Sequence, residues 1–337
     1  MAKNILLLFG GGGPEHDISI ISADHIESSL NEFSQFNTIK VELKKDGKYY
    51  HRSELCSIEV DGTICFSDSK KEKIDLVVPS LHGPPGETGE IQAFFEAIRI
   101  PYIGCNPEAS INCFNKATAK LWFEQIGIPV APWILITDKN DEKALSDAEK
   151  FFEKMGGNVL DKAASQGSSI GCYQVEKADE LRSKIVEAFN FSNYVIVEEN
   201  IIGRELEVAT FEYNDQLIVT NPSEILTPLE DFYSFEEKYS KSSHTTTELT
   251  PKNLSKEDIE KIKSFAYRIF KAMKLNDLAR IDFFLKKDGT IILNEINTFP
   301  GMTPISMFPK MMEHHGIEFS KFLQYLIEKK LKTNPEK

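Results

Sequence analysis

The segment LARIDFFLKKDGTIILNEINTFPGMTPIS, residues 278–306, constrains the fold more than any other stretch of the chain. Two runs rich in β-branched and aromatic residues flank Asp288-Gly289, a turn signal that marks a β-hairpin. Strand alternation sets Arg280 and Asp282 on one face of the first strand and Ile281 and Phe283 on the other. In the second strand it groups Ile291, Leu293, Glu295 and Asn297 on one side. Pairing the strands brings Asp282 near Glu295 and Asn297, giving three oxygen donors. Hard oxygen ligands suit Mg²⁺, which commonly takes one or two carboxylates plus substrate phosphates. A solvent-facing strand edge with scattered charges would give part of this pattern, but it has no need of NEIN followed by a proline-glycine turn. Arg280 beside such a site can clamp a carboxylate or phosphate through its planar fork.

The rest of the chain suits an α/β protein of more than one domain. Its 337 residues exceed a single simple core, and 41% hydrophobic with 27% charged residues is ordinary globular composition. A formal net charge of -13 argues against non-specific nucleic-acid binding, because no positive field draws in a phosphate backbone. Small anions remain admissible, held by local basic groups or helix N-termini. Cys56, Cys65, Cys105, Cys113 and Cys172 are scattered and form no CxxC, so neither a disulfide framework nor a zinc site is expected. The stretch MAKNILLLFGGGGPEHD has an apolar run too short for a signal peptide, and no apolar segment reaches the ~18 residues of a membrane span. The expected location is the cytoplasm, with no membrane partner.

Along the chain, Asn4 to Phe9 reads as a buried parallel strand stopped by glycines, with a helix beginning near Ile18 or Ser19. Ile74 to Leu81 reads as a second strand, followed by a helix whose stripe is Ile91, Phe94, Phe95 and Ile98. These units make a small parallel sheet ending near Gly104 to Pro107. Lys116 to Ile126 and Ala144 to Met155 read as helices, and Ile134 to Ile136 and Val159 to Lys162 as strands. VIVEE, ELEVATFEY and QLIVT read as antiparallel neighbours of a third unit. Residues 221–254 are polar and long for a connection in a compact domain, which suggests a binding loop or lid, the alternative being a disordered insertion. Ser255 with Asp258 resembles a capping box before a helix carrying Ile259, Ile262, Ala266, Ile269 and Met273.

Several polar residues sit where chemistry is done. Lys116 opens a helix, and Lys162 ends a strand before GSS, where backbone N–H groups and hydroxyls suit phosphate oxygens. Most lysines are surface residues, so each alone is a weak signal. Glu198, Glu199 and Glu205 could accept from ribose hydroxyls or hold Mg²⁺, and ordinary charge patterning explains them equally well. The loop from Gly10 to His16 lacks the third glycine of a dinucleotide fingerprint. Glu15 stands there instead, which opposes a pyrophosphate and suits a cationic amine. His82, at a strand end, is a base, a hydrogen-bond donor or a plain turn residue.

Taken in order, FGGGGPEHDISIISA, SLHGPPGETGEIQ, PYIGCNPEASINCFNKATAK, KAASQGSSIG, VEENIIGRELEV, FYSFEEKY, ARIDFFL and LNEINTFPGMTPIS resemble the D-alanine–D-alanine ligases over nearly the whole chain. The resemblance implies the three-domain ATP-grasp fold: an N-terminal small parallel-sheet domain (1–106), a central α+β lid domain (107–193) and a C-terminal α+β domain (194–337) with an active-site loop near 221–254. It implies ATP-dependent joining of two D-alanines through a D-alanyl phosphate, supplying peptidoglycan precursors. Glu15 then holds the first substrate's ammonium near His82, with Ser168 and Tyr239 as companions. Arg280, Gly301 and Ser306 position the second D-alanine and the tetrahedral oxyanion. Lys116, Lys162, Glu198 and Glu205 contact ATP, with Ile201 in the adenine hinge. Lys238 reaches the transferred phosphate. Asp282, Glu295 and Asn297 ligate magnesium, two ions being expected, with manganese able to substitute. The implied assembly is a homodimer.

The sequence departs from the family in places. Ala163 replaces a proline after the strand lysine, Thr88 replaces an aspartate after Glu87, and Glu199 takes a hinge position usually held by lysine. The loop YSFEEKY keeps Lys238 and Tyr239, and the tyrosine favours an amine over a hydroxy-acid nucleophile. D-serine as second substrate is harder to exclude, since one hydroxyl alters only the second pocket. Another ATP-grasp ligase would leave Glu15, His82 and Tyr239 together unexplained. A dinucleotide oxidoreductase needs an intact glycine fingerprint. An inactive scaffold should have lost Arg280, Asp282 or Glu295, and all three are present.

Overall fold

The computed structural model describes residues 2–226 and 246–333, so Lys238, Tyr239 and the YSFEEKY motif lie outside the described residues. Three sheets organise them. The first begins with β1 (Lys3–Gly10), crosses over through α1 (His16–Leu30) to β2 (Phe36–Leu43), and is completed on the other flank by β7 (Leu76–Ser80). Both neighbours run parallel to β1. That strand is buried on both faces: Ile5 and Leu7 enter one core, Leu6 and Leu8 another closed by Ile91 and Phe95 of α2 (Glu90–Ala97). This is why it reads as a continuous apolar run. Gly10 ends it at φ +96, and a β-carbon there would meet the Leu43 carbonyl at 2.5 Å, so no larger residue fits.

The strand expected second is in fact the seventh. Between Phe36 and Lys73 the chain forms β2 and then β3 (Tyr49–His51), β4 (Glu54–Ile58), β5 (Thr63–Cys65) and β6 (Lys71–Lys73), which extend the sheet by antiparallel pairing. Three of these are only three residues long and largely solvated, so they leave no periodic apolar signal.

The second sheet is antiparallel and contains β8 (Trp133–Ile136), β9 (Val159–Ala163), β10 (Cys172–Val175) and β11 (Val195–Glu199), in the order β10-β9-β11-β8. Two further helices, Pro107–Phe114 (α3) and Lys116–Gln125 (α4), precede it, and α5 (Glu142–Lys154) and α6 (Ala178–Ala188) pack on one of its faces. VIVEE therefore does not neighbour ELEVATFEY. It pairs with β8 and β9, and a division of the chain at residue 193 separates it from its own sheet. The turn from Asn200 to Gly203 then redirects the chain into the third sheet, built on β12 (Arg204–Tyr213) with β13 (Gln216–Val219), β14 (Ser223–Leu226), β15 (Thr246–Glu248), β16 (Leu278–Leu285) and β17 (Ile291–Asn297). β14 and β15 pair antiparallel, so the ends of the polar 221–254 segment meet. Helix α7 (Lys256–Ala272) starts at Ser255, whose hydroxyl accepts from the Asp258 N–H at 3.0 Å, and buries Ile262, Ala266 and Ile269 against the sheet.

The chain closes on itself. Helices α8 (Met307–His314) and α9 (Phe319–Thr333) insert Phe308, Phe322 and Ile327 into the core that holds Ile5, Leu7, Ile26 and Leu76. His25 of α1 stacks on Phe319 and bonds the Met302 carbonyl at 2.7 Å.

One core residue works against the packing. Asp161 of β9 is fully buried among the apolar side chains under α5 and α6, and neither carboxylate oxygen has a hydrogen-bond partner. Burial pushes its carboxyl up to about 8. In the unfolded chain it titrates near the ordinary 3.8, so the folded state keeps a proton that the unfolded state has lost. Stability then falls as pH rises between those values, by up to about 1.4 kcal/mol per pH unit from this one group. Asp161→Val is expected to raise the denaturation midpoint at pH 8 and to flatten the pH slope between 5 and 8, read by urea unfolding with circular dichroism. An unchanged slope would exclude this account.

Candidate active site

The hairpin of β16 and β17 carries a cluster of polar side chains, and its register differs from simple alternation. Asp282 lies opposite Glu295 and Arg280 opposite Asn297, but Phe283 lies opposite Leu293, so Asn294 is an extra residue at a β-bulge. The bulge reverses the parity of the strand. Ile291 and Leu293 thus join Ile281, Phe283 and Ile296 in the core, while Glu295 and Asn297 share the other face with Arg280 and Asp282. The expected grouping of Ile291 and Leu293 with Glu295 and Asn297 fails for that reason, although the three oxygen donors do come together. Asn297 Nδ2 donates to Asp282 Oδ2 at 3.0 Å. Among the described residues no three His, Cys, Asp or Glu side chains form a metal-ligand cluster. The candidate set therefore depends on the amide of Asn297 beside two carboxylates, a donor chemistry that fits a hard divalent cation.

Arg280 is clamped from two strands. Its Nε and Nη2 donate to Asp282 Oδ1 and Oδ2 at 2.9 and 2.8 Å, and Nε lies 3.3 Å from Glu207 Oε1 on β12. Burial opposes the guanidinium charge, yet Asp282 and Glu207 hold its pKa well above the ordinary value. Glu207 was absent from the residues expected from sequence. Its signal is positional: it lies directly across from Asp282, on the same side as Glu205 two residues earlier.

Between the second and third sheets lies a cleft with a polar and an apolar half. Glu198 of β11 is buried with its oxygens shared between Lys162 Nζ at 2.5 Å and Lys120 Nζ at 2.8 Å. Burial works to raise the Glu198 carboxyl, but the two ammoniums outweigh it and hold it at about 2. Burial likewise works against Lys162, and Glu198 more than offsets it. Lys116 opens α4, where Asn115 caps the helix by accepting from the Thr118 N–H and also reaches Ser165 Oγ at 3.0 Å. The Lys116 N–H bonds the Ala164 carbonyl and its ammonium donates to the Gln166 carbonyl, so α4 is pinned to the loop after β9. Burial pulls the Lys116 ammonium below its ordinary pKa. The apolar half is lined by Ala131, Leu160, Ile201, Phe284 and Ile292. Glu199 closes its edge and pairs with Lys286 at 3.4 Å. Glu205, opposite Phe284 in register, stands on the same face of the third sheet. Lys120 was not expected from sequence, although its place one helical turn after Lys116 puts both on one face.

At the other end of this polar face three loops converge on Glu15. A β-carbon on Gly83 would lie 3.2 Å from Glu15 Oε2, and one on Gly167 would lie 3.6 Å from the same atom. The Gly167 loop continues into Ser168 and Ser169, both left-handed at φ 50 and 60. Two consecutive non-glycine residues there store strain that the surrounding loop has to hold, a feature concentrated at functional sites. His82 is buried, its Nε2 3.0 Å from Ser22 Oγ. Burial lowers its pKa against the opposing charge of Glu15. Ser22 Oγ also accepts from the Met302 N–H at 3.3 Å, tying this junction to the turn after β17. In that turn Ser306 Oγ accepts from the Thr303 N–H at 3.1 Å, and a β-carbon on Gly301 would come within 2.9 Å of it. Glu87, unassigned from sequence, accepts from the Gly83 N–H at 2.9 Å. Burial and the charge of Glu15 push its carboxyl up to about 8. The structure thus gathers Glu15, His82, Ser168, Arg280, Gly301 and Ser306 about one end of the face, and Lys116, Lys162, Glu198, Glu199, Ile201 and Glu205 along the cleft.

Residues 4–105 match the sequence model of the D-ala D-ala ligase N-terminus and residues 122–328 that of the D-ala D-ala ligase C-terminus. A D-alanine–D-alanine ligase of Vibrio atlanticus (strain LGP32) is 49% identical over 321 residues, covering 95% of this chain and 96% of the relative. One from Shewanella sediminis (strain HAW-EB3) is 48% identical over 331 residues, covering 97% and 98%. Among solved structures, D-alanyl-alanine synthetase A from Vibrio cholerae superposes with a TM-score of 0.93 at 45% identity, covering 98% of this chain and 99% of that one. The VanG D-Ala:D-Ser ligase from Enterococcus faecalis superposes with a TM-score of 0.85 at 30% identity, covering 97% and 99%. The three-sheet architecture is accordingly the ATP-grasp plan. Matched in both halves and along almost its full length, this chain belongs to the D-alanine–D-alanine ligase family.

Proposed function

We propose that the chain joins two D-alanines into D-alanyl-D-alanine at the expense of ATP, releasing ADP and phosphate through a D-alanyl phosphate. The observation that carries this reading is the position of Glu15, a carboxylate at the meeting of three loops, which faces His82 together with Arg280 and lies beside Gly167, next to the Gln166 carbonyl that Lys116 holds. The proposed reaction needs an anion for the ammonium of the first amino acid and a cation for the carboxylate of the second, and this junction offers both.

In the proposed reaction Glu15 holds the ammonium of the first D-alanine, with His82 and Ser168 beside it. Lys116 and Lys162 draw in the nucleotide phosphates, and Ala131, Ile201 and Ile292 sandwich the base. Glu198, Glu199 and Glu205 stand within reach of the adenosine. Asp282, Glu295 and Asn297 would hold magnesium, with two ions expected and manganese an acceptable substitute. Such an ion supplies charge neutralisation for the transferring phosphoryl group. The first carboxylate becomes an acyl donor only once phosphorylated, so the intermediate has to be shielded from water. Arg280, already ionised and rigidly forked, is placed to bind the second carboxylate and the negative charge that builds on the attacked carbonyl. Ser306 and the Gly301 backbone complete that pocket. Lys238 and Tyr239 keep the roles that the family resemblance implies: contact with the transferred phosphate and support of the first substrate. We further propose a homodimer working in the cytoplasm on precursors of peptidoglycan. No helix among the described residues is long and apolar enough to cross a membrane.

Purified protein with MgATP and D-alanine is expected to release ADP and phosphate in step with D-alanyl-D-alanine, followed by mass spectrometry. Turnover only when D-serine or D-lactate is added would overturn the choice of second substrate. Arg280→Lys keeps a point charge but loses the two-pronged clamp, and kcat should fall by roughly a hundredfold or more. Glu15→Gln should raise KM for the first D-alanine by roughly tenfold to a hundredfold, the worth of a charge-assisted bond. Steady-state kinetics at two D-alanine concentration ranges checks both, and an unchanged KM in Glu15→Gln would remove Glu15 from the substrate site.

A further inference from the structure

Three lysines, Lys116, Lys120 and Lys162, line the polar half of the cleft, two of them paired with the buried Glu198 carboxylate, and the proposed chemistry has left Lys120 unused. Lys120 is 5% exposed, deeper than either of the others. Its Nζ sits 2.8 Å from Glu198 Oε2 and donates to the Ala131 carbonyl at 3.3 Å. It therefore lies where the polar half of the cleft meets the apolar half, touching the acid of one and the backbone of the other.

We propose that Lys120 is a positioning residue for the nucleotide, acting through Glu198. It takes one carboxylate oxygen permanently, so that Lys162 divides itself between the other oxygen and an incoming phosphate. It also fixes the height of the Ala131 wall against which a base would stack. This inference rests on the ATP-dependent reading given above. The physical reason lies in the count of charges. A cleft that receives a polyanion has to hold its cations ready before the ligand arrives, and Glu198 neutralises them meanwhile. Without Lys120, the whole charge of Glu198 falls on Lys162, which is then held away from phosphate. A desolvated carboxylate left with a single partner would also swing toward it and change the shape of the slot.

The test compares wild type with Lys120→Met, Lys120→Gln, Lys120→Arg, Glu198→Gln and the double variant Lys120→Met/Glu198→Gln. For each protein KM for ATP, KM for D-alanine and kcat are measured, alongside equilibrium binding of a fluorescent ATP analogue without D-alanine. Lys120→Met should raise KM for ATP and weaken analogue binding by about tenfold to a hundredfold, as for a lost charge-assisted contact. KM for D-alanine and kcat should stay close to wild type, and Lys120→Arg should recover most of the loss. In the Glu198→Gln background the same lysine substitution should matter far less, since the partner it acts through is gone. If the methionine protein does not fold, the same pattern is read from Lys120→Gln. Unchanged ATP affinity in both neutral variants would overturn the proposal. So would an undiminished effect in the Glu198→Gln background, or a parallel loss in all three kinetic constants. A wild type that binds the analogue but never turns over D-alanine would instead overturn the proposed function, and the binding series would still decide Lys120.

Discussion

The pairing of Glu198 with two lysines, and of Arg280 with two carboxylates, is the constraint around which the second and third sheets are arranged. An ion taken out of water is tolerated only where an opposite charge meets it with good geometry. Here the partners come from separate elements: Lys120 from α4, Lys162 from β9 and Glu198 from β11; then Glu207 from β12 and Arg280 with Asp282 from β16. Lys162 with Glu198 and Arg280 with Glu207 each fix one strand against another, and Lys120 ties α4 to β11, which leaves the cleft lined with charges that are already paid for. The same arrangement makes the ends of the strands rigid where positioning matters and leaves the loops to bring in the remaining groups.

Those loops solve a different problem. Glu15, Gly83 and Gly167 belong to three connections that are far apart in sequence, and each has to approach the others closely. Small residues permit the approach, and the left-handed Ser168 and Ser169 set the path of the last of them. Ser22 bonds both His82 and the Met302 N–H, so the histidine beside Glu15 is tied to the turn in which Ser306 accepts from the Thr303 N–H. A site assembled in this way depends on backbone paths as much as on side chains.

Much of this could be read from residues alone, and the gaps have physical causes. Strongly apolar strands such as β1 and β9 announce themselves, as does the Ser255 cap, because burial and capping leave local signatures. The hairpin of β16 and β17 was legible, but its bulge was not: an inserted Asn294 looks like any other polar residue until the partner strand is in place. Lys120 and Glu207 were missed because a lysine in a helix and a glutamate in a strand usually face water; only the tertiary partner distinguishes them. VIVEE was assigned to the wrong neighbours since an apolar strand carries no label for its sheet. The short strands between Tyr49 and Lys73 gain their order from an edge already formed beside them.

The core that joins β1 and α1 to α8 and α9 has a consequence for how the protein is made. Ile5, Leu7 and Ile26 emerge from the ribosome roughly three hundred residues before the Phe322 and Ile327 that cover them. Until then α1 shields that side of the first sheet, through Ala23, Ile26 and Leu30. During that interval the apolar side chains that α8 and α9 will cover have only part of their final packing. Completion of the first core therefore waits on helices that are made after all the strands of the second and third sheets.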